Sequence, residues 1–194
     1  MNANQAGIPV ITLDRASNGG EVLSHIASDN VAGGKMAGEH IIKLLEGKGN
    51  VVELEGIPGS SSARERGQGF NEAIEGSELQ VVAKQTANYD RTEGLSVMEN
   101  ILQANADIQA VFAHNDEMAL GALEAIKSSG KDIKVVGFDA TDDAVKSVEA
   151  GELAATIAQQ PKEIGSLGIE AAVKAINGET VEKSIPVELK LVVK

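Results

Sequence analysis

Ala110-Val-Phe-Ala-His-Asn-Asp-Glu-Met-Ala-Leu-Gly-Ala-Leu-Glu-Ala-Ile126 reads as one complete strand, turn and helix. Val111, Phe112 and Ala113 form the short apolar run of a strand buried on both faces. Ala119, Ala122, Leu123 and Ile126 recur at the spacing of one helical face. Asn115-Asp116 makes the bend, with Asp116 expected as the helix N-cap. In open parallel sheets, ligands bind in the crevice beyond the carboxyl ends of the strands, so a site is expected wherever such units gather polar groups at their bends.

The unit recurs on both sides of this stretch. Ile8 to Leu13 is an apolar, β-rich run ending in the polar pair Asp14-Arg15, and Val22 to Ala27 is a second short strand. Ser28-Asp29-Asn30 supplies the cap of a helix on which Val31, Gly34, Gly38, Ile41 and Leu45 step by threes and fours, and its glycines are expected to pack closely on a sheet. Gly33-Gly34-Lys35 is not a phosphate loop, because Met36 stands where Ser or Thr is needed and the glycine spacing is wrong. Asn50 to Glu55 is the next strand. Ser62-Ala-Arg-Glu65 reads as a capping box, opening a helix whose apolar face, Phe70, Ala73 and Ile74, also carries Arg66. A cation near a helix N-terminus opposes the macrodipole, so Arg66 is expected to face a ligand rather than water.

Leu79 to Lys84 is a further strand, closed by Ala87-Asn-Tyr-Asp90, and Asp90 with Glu93 caps a helix holding Leu95, Met98 and Leu102 inside. Tyr89, the only Tyr in the chain, lies at that bend, either as a stacking face or as a cover for the sheet end. Ile133 to Asp139 repeats the buried strand and ends in an acid where the opening unit has Asn115; Asp139 is read as a ligand group, with a helix cap as the alternative. Leu153 to Ala158 leads to Gln159, and Pro161 suits the first turn of a helix. That helix is expected to turn Ile169, Ala172, Val173 and Ile176 inward and to end at Gly178. Pro186 to Val193 is a last strand.

Strand and helix in alternation predict an α/β fold with a doubly wound parallel sheet. A formal net charge of -12 argues against a nucleic-acid surface. The absence of Cys removes disulfides and thiolate chemistry, and three His at 25, 40 and 114 are too scattered for a metal cage. No apolar run approaches the ~18 residues of a membrane span, and the polar Met1-Asn-Ala-Asn-Gln5 does not read as a signal peptide. The polar groups at strand ends are Asp14, Arg15, Arg66, Asn115, Asp139 and Gln159, with Tyr89 nearby. Carboxylates, amides and guanidinium forks suit adjacent hydroxyls that each donate and accept, and an aromatic face covers the C–H side of a sugar ring. A nucleophile-base pair, a metal cluster and a complete phosphate loop are all missing, so the set reads as a binding site rather than an enzyme's, with no cofactor.

Ile8 to Arg15, His25 to Asn30, Ser62 to Gly67, Asn115 to Ala122, Val135 to Asp139 and Leu153 to Gln159 closely resemble the bacterial D-ribose-binding proteins of ABC transporters, and the resemblance runs from end to end. It implies that Asp14, Arg15, Arg66, Asn115, Asp139 and Gln159 hydrogen-bond a D-ribose-like monosaccharide and that Tyr89 packs against it. It further implies a location outside the cytoplasm in the cell envelope, a membrane permease as partner and, in relatives, a chemoreceptor. Members of that family have two lobes joined by three crossings. By resemblance, residues 29 to 159, with 190 to 194 returning, are a complete C-terminal lobe, and 1 to 28 and 160 to 189 are remnants of a truncated N-terminal lobe. The remnants are expected to be mobile or to associate as a homo-oligomer. Two other classes share the α/β pattern: the effector core of a LacI-type repressor without its DNA-binding headpiece, and a flavodoxin-like enzyme or phosphoreceiver, which needs a phosphate loop or clustered acids.

Overall fold

The computed structural model describes residues 2–194. In chain order the elements are α1 (Asn2–Gln5), β1 (Ile11–Leu13), β2 (Ser24–Ser28), α2 (Asn30–Leu44), β3 (Lys48–Glu55), α3 (Ser61–Ile74), β4 (Glu78–Thr86) and α4 (Arg91–Ala104). They continue with β5 (Ala110–Ala113), α5 (Asp116–Ser129), β6 (Lys134–Asp139), α6 (Asp142–Ala150), β7 (Ala155–Ala158), α7 (Pro161–Ile176), β8 (Ser184–Val187) and β9 (Lys190–Val192). The chain forms two compact units, Met1–Asp29 with Gln160–Leu189, and Asn30–Gln159 with Lys190–Lys194.

The smaller unit carries a three-stranded parallel sheet in the order β1-β2-β8. Its strand β1 begins at Ile11 rather than Ile8, and Pro9 just before it has no N–H for a ladder. Ile26, Ile164, Ala171 and Val187 are its buried apolar cluster. The inner face expected of α7 is wrong: Ile169, Val173 and Ile176 are 69%, 51% and 83% exposed, while Ile164, Gly168 and Ala171 are buried. The helix carries two apolar stripes, and the one with small residues can approach closest; a Cβ on Gly168 would stand 2.7 Å from a Leu13 methyl. The expected strand from Pro186 to Val193 is in fact two, β8 beside β2 in the smaller unit and β9 in the larger.

The larger unit is a six-stranded sheet in the order β4-β3-β5-β6-β7-β9, parallel except for β9, which runs antiparallel along β7. Alternation along the strands feeds two layers. Val52, Leu54, Val111, Ala113 and Val135 join Met98, Ile101, Leu123 and Val148 from α4, α5 and α6. Phe112, between two of them in sequence, packs at 5.0 Å against Phe70 of α3. The glycines of α2 meet a helix rather than the sheet. A Cβ on Gly34 would lie 2.1 Å from the Arg66 carbonyl oxygen, and one on Gly69 of α3 would lie 1.9 Å from that of Val31. Gly94 and Gly121 join α4 to α5 in the same way, so each pair crosses backbone against backbone.

Two caps differ from expectation. Ser60, not Ser62, is the N-cap of α3, its side chain accepting from the Ala63 N–H. Asn115, not Asp116, caps α5: it has the extended backbone of a cap and accepts from the Met118 N–H at 3.0 Å. Both shifts move the helix start one or two residues toward the strand and place Ser62 and Asp116 inside the helix, where their side chains serve other partners. Since β3 lies between β4 and β5, strand order reverses there, and the carboxyl ends of β3 and β5 frame the crevice that open α/β sheets use for ligands.

Candidate functional site

Arg66 anchors the carboxyl edge of the larger unit's sheet. Its side chain is 4% exposed, on the inner face of α3, as its place beside Phe70 on the apolar stripe predicts. Its Nε donates to Asn30 Oδ1 at 2.9 Å and one terminal nitrogen donates to the His114 carbonyl at 2.6 Å. The guanidinium carbon sits 3.7 Å from the Phe138 ring centroid, a cation–π stack. The same terminal nitrogen stands 3.7 Å from Asp139 Oδ1, which also accepts from Gln159 Nε2 at 2.6 Å. The Arg66 guanidinium from α3 and the Gln159 amide just past β7 therefore converge on the Asp139 carboxylate at the end of β6, whose charge the guanidinium balances.

Asp139 is not a helix cap; Thr141 caps α6. Asn115 spends its carbonyl oxygen on the cap of α5 and donates from its amide to the Tyr89 carbonyl at 3.3 Å. Each of these atoms retains further bonding capacity, since an amide oxygen has two lone pairs and an amide nitrogen two protons. Tyr89, half-buried, has φ of 63°, and its hydroxyl meets Ser62 Oγ at 3.0 Å. Its ring lies so close to Gly56 that a Cβ there would fall 2.0 Å from the ring. Arg66, Tyr89, Asn115, Asp139 and Gln159 thus share one edge of the larger unit. Asp14 and Arg15 belong to the smaller unit, at the end of β1, both exposed and 4.0 Å apart.

Sequence reading missed the supports of this edge. In sequence Asn30 reads only as part of a cap, yet it orients Arg66. His114 is fully buried; its Nδ1 accepts from the Gly56 N–H at 3.3 Å, so Nε2 carries the proton and donates to Glu53 at 3.0 Å. Glu53, also fully buried, takes further donors from Asn71 and Lys84. Gly67 leaves room for the pair, for a Cβ would fall 2.8 Å from the Glu53 carboxylate. Period-two alternation flags Glu53 only as a polar residue on a strand, and its partners lie far off in sequence.

Burial pushes the His114 imidazole below its ordinary value near 6.5, outweighing the Glu53 carboxylate that favours the cation. Hydrogen bonds from His114 and Asn71, with the Lys84 charge, hold Glu53 below its ordinary range despite burial. Well above pH 6.5 His114 is uncharged in both folded and unfolded chains. As the pH falls below about 6.5 the unfolded chain takes up a proton that folded His114 refuses, so the larger unit loses stability with acid. His40 shifts the same way, chiefly through burial. His114→Gln, which keeps a donor for Glu53, is expected to flatten the fall in urea-unfolding free energy between pH 7 and 5.5 without abolishing it. An identical slope in the variant would show that His114 is not a source of the acid sensitivity.

A parallel sheet with this strand order, its polar groups at the carboxyl edge, defines a ligand-binding α/β protein, and the chain belongs to the periplasmic binding protein domain family, whose model matches residues 1–180. It is 57% identical over 190 residues to the ribose import binding protein RbsB of Haemophilus influenzae, covering 98% of this chain and 65% of that protein. It is 58% identical over 193 residues to the protein of that name in Escherichia coli, with 99% and 65% covered. The chain therefore spans just under two thirds of the length of these relatives. Among solved structures, a Bacillus halodurans ABC transporter solute-binding protein with bound myo-inositol superposes with a TM-score of 0.92 at 37% identity, over 99% of this chain and 68% of that one. The fold is the type I periplasmic binding protein fold.

Proposed function

We propose that the chain is the sugar-binding part of the solute-binding component of an ABC importer, taking D-ribose or a closely similar monosaccharide. The observation that carries this reading is the Arg66–Asp139–Gln159 cluster: a carboxylate, a guanidinium and an amide within 3.7 Å, charge-balanced and rich in both donors and acceptors. Such a set pairs with neighbouring hydroxyls of a neutral ligand. Asn115 adds its remaining donor and acceptor capacity, and Tyr89 offers a ring face for the sugar's carbons. On the smaller unit we take Asp14 and Arg15, an exposed acid and guanidinium at the end of β1, as its proposed ligand groups.

The relatives named above support the importer over the repressor core and over an enzyme, as they are binding proteins of ribose import. In this reading the protein works in the cell envelope outside the cytoplasm, and its partner is a membrane permease.

Calorimetry of the chain with D-ribose, a ribose epimer, FMN and Mg²⁺ tests the class. Ribose is expected to bind and the last two are not. Asp139→Ala is expected to weaken ribose binding at least tenfold with the fold intact, because an unpaired buried hydroxyl or its partner costs about 1–3 kcal/mol. Binding of FMN but no sugar, or unchanged ribose affinity in Asp139→Ala, would sink the reading.

A further inference from the structure

We infer that Asp116, acting through Thr156 and Thr141, is a positioning residue that holds the backbone turn presenting Asp139 to its ligand; this rests on the sugar reading above. Asp139 and Ala140 are consecutive non-glycine residues at φ of 123° and 53°. Side chains disfavour that region, so the pair persists only where its surroundings fix it. What fixes it is a carboxylate more than twenty residues upstream. The Ala140 N–H donates to Thr156 Oγ1 at 3.1 Å, and Thr156 donates to Asp116 Oδ1 at 2.7 Å. The Thr141 N–H donates to Asp116 Oδ2 at 2.8 Å, with the Thr141 hydroxyl at 3.2 Å from the same oxygen.

The direction of every bond follows from the carboxylate, which only accepts when ionised. Thr156 must then give its proton to Asp116 and keep a lone pair for Ala140. Thr141 must likewise give its proton to Asp116 and accept from the Ala144 N–H as the cap of α6. Backbone donors on both sides of the Ala140–Thr141 peptide are thereby tied, directly or through one hydroxyl, to a single group.

Asp116 is fully buried, and its own helix does not use it as a cap, since Asn115 fills that place. Burial pushes its carboxyl up, while bonds from Thr156, Thr141 and the Phe138 backbone favour the ionised form. Strand β6 makes room for it at Gly137, where a Cβ would stand 2.3 Å from Asp116 Oδ1. A buried carboxylate is costly to keep, and the partners described here lie in the 138–141 turn and at Thr156. Asp116 itself is too deep to touch a sugar. Its effect on binding passes through the backbone that aims Asp139 toward Gln159 and Arg66.

Thr156→Val tests this, being nearly isosteric while removing both the acceptor for Ala140 and the donor to Asp116. The expected result is a ribose Kd raised at least tenfold in a chain that still unfolds cooperatively. In the ligand-free protein the Ala140 amide is expected to exchange its hydrogen at least a hundredfold faster. Adding Ala140→Gly should recover most of the affinity, since glycine adopts positive φ without the side-chain penalty; a purely structural role predicts no such rescue. Asp116→Asn, which keeps the volume and one acceptor and leaves Thr156 in place for Ala140, is the second variant and should give a smaller loss of affinity with a smaller rise in Ala140 exchange. Unchanged affinity in both variants, or unchanged Ala140 exchange, overturns the inference. If the unaltered chain binds no sugar, the sugar reading has failed first and the positioning role falls with it.

Discussion

Arg66→Met is expected to lower the unfolding free energy of the larger unit by about 3 kcal/mol, the low end for breaking a buried charge pair, and to abolish measurable ribose binding. Methionine keeps most of the apolar stem and removes the guanidinium that stacks on Phe138, so the loss reports that group. Without it, Asn30 Oδ1 and the His114 carbonyl lose their donor, and Asp139 keeps Gln159 but no cation. The low end is appropriate because the Asp139 side chain is 27% exposed and water can reach it. Arg66→Lys should recover little, as an ammonium cannot serve Asn30 and the His114 carbonyl in the planar fork that arginine presents. Urea unfolding and calorimetry on the same samples check both numbers. Near-native stability with ribose binding intact in Arg66→Met would remove Arg66 from the site.

The second large effect is a difference between the two units. The larger unit buries a continuous set of apolar side chains on both faces of its sheet, whereas the smaller has Ile26, Ile164, Ala171 and Val187 as its buried cluster. Ile8, Leu13, Ile169, Val173 and Ile176 of the smaller unit stay exposed. Each side chain left in water forgoes about 1.5–3 kcal/mol of burial. Native-state hydrogen exchange is therefore expected to show β1 and β2 opening at least ~3 kcal/mol more easily than β3, β5 and β6. Protection in β1 and β2 that rises with protein concentration would show copies of the chain covering the apolar surface. Equal, concentration-independent protection in both units would mean that the smaller one is stable by its own packing, against this expectation.

The parts of the fold legible in the sequence were those set by local pattern. The run Val111 to Ala113, the face Ala119 to Ile126, and Asp90 at its cap each stand where short-range spacing puts them. Pattern could not choose between the two stripes of α7, because Gly168 and Ala171 win by close approach, not by hydrophobicity. It also could not see that Gly34 and Gly69 face each other, since a helix face rich in glycine fits either a sheet or another backbone. At the site, the side chains at strand ends were legible because topology gathers them at one edge. Their supports were not: Asn30, Glu53, His114, Asp116 and Thr156 act across separations of tens of residues and look in sequence like caps or incidental polar residues.

The antiparallel strand β9 also has a consequence in time. It closes the β7 edge of the larger unit's sheet, but a ribosome makes it only after all of α7 and β8, which belong to the smaller unit. During synthesis, Thr156 to Ala158 therefore wait with one flank unpaired while some thirty residues of the other unit emerge, at a rate of roughly 5–20 residues per second. For those seconds the nascent chain carries an open strand edge beside the turn that holds Asp139. Stalled chains ending before Lys190 are the ones to probe for chaperone capture or for pairing with a neighbouring nascent copy.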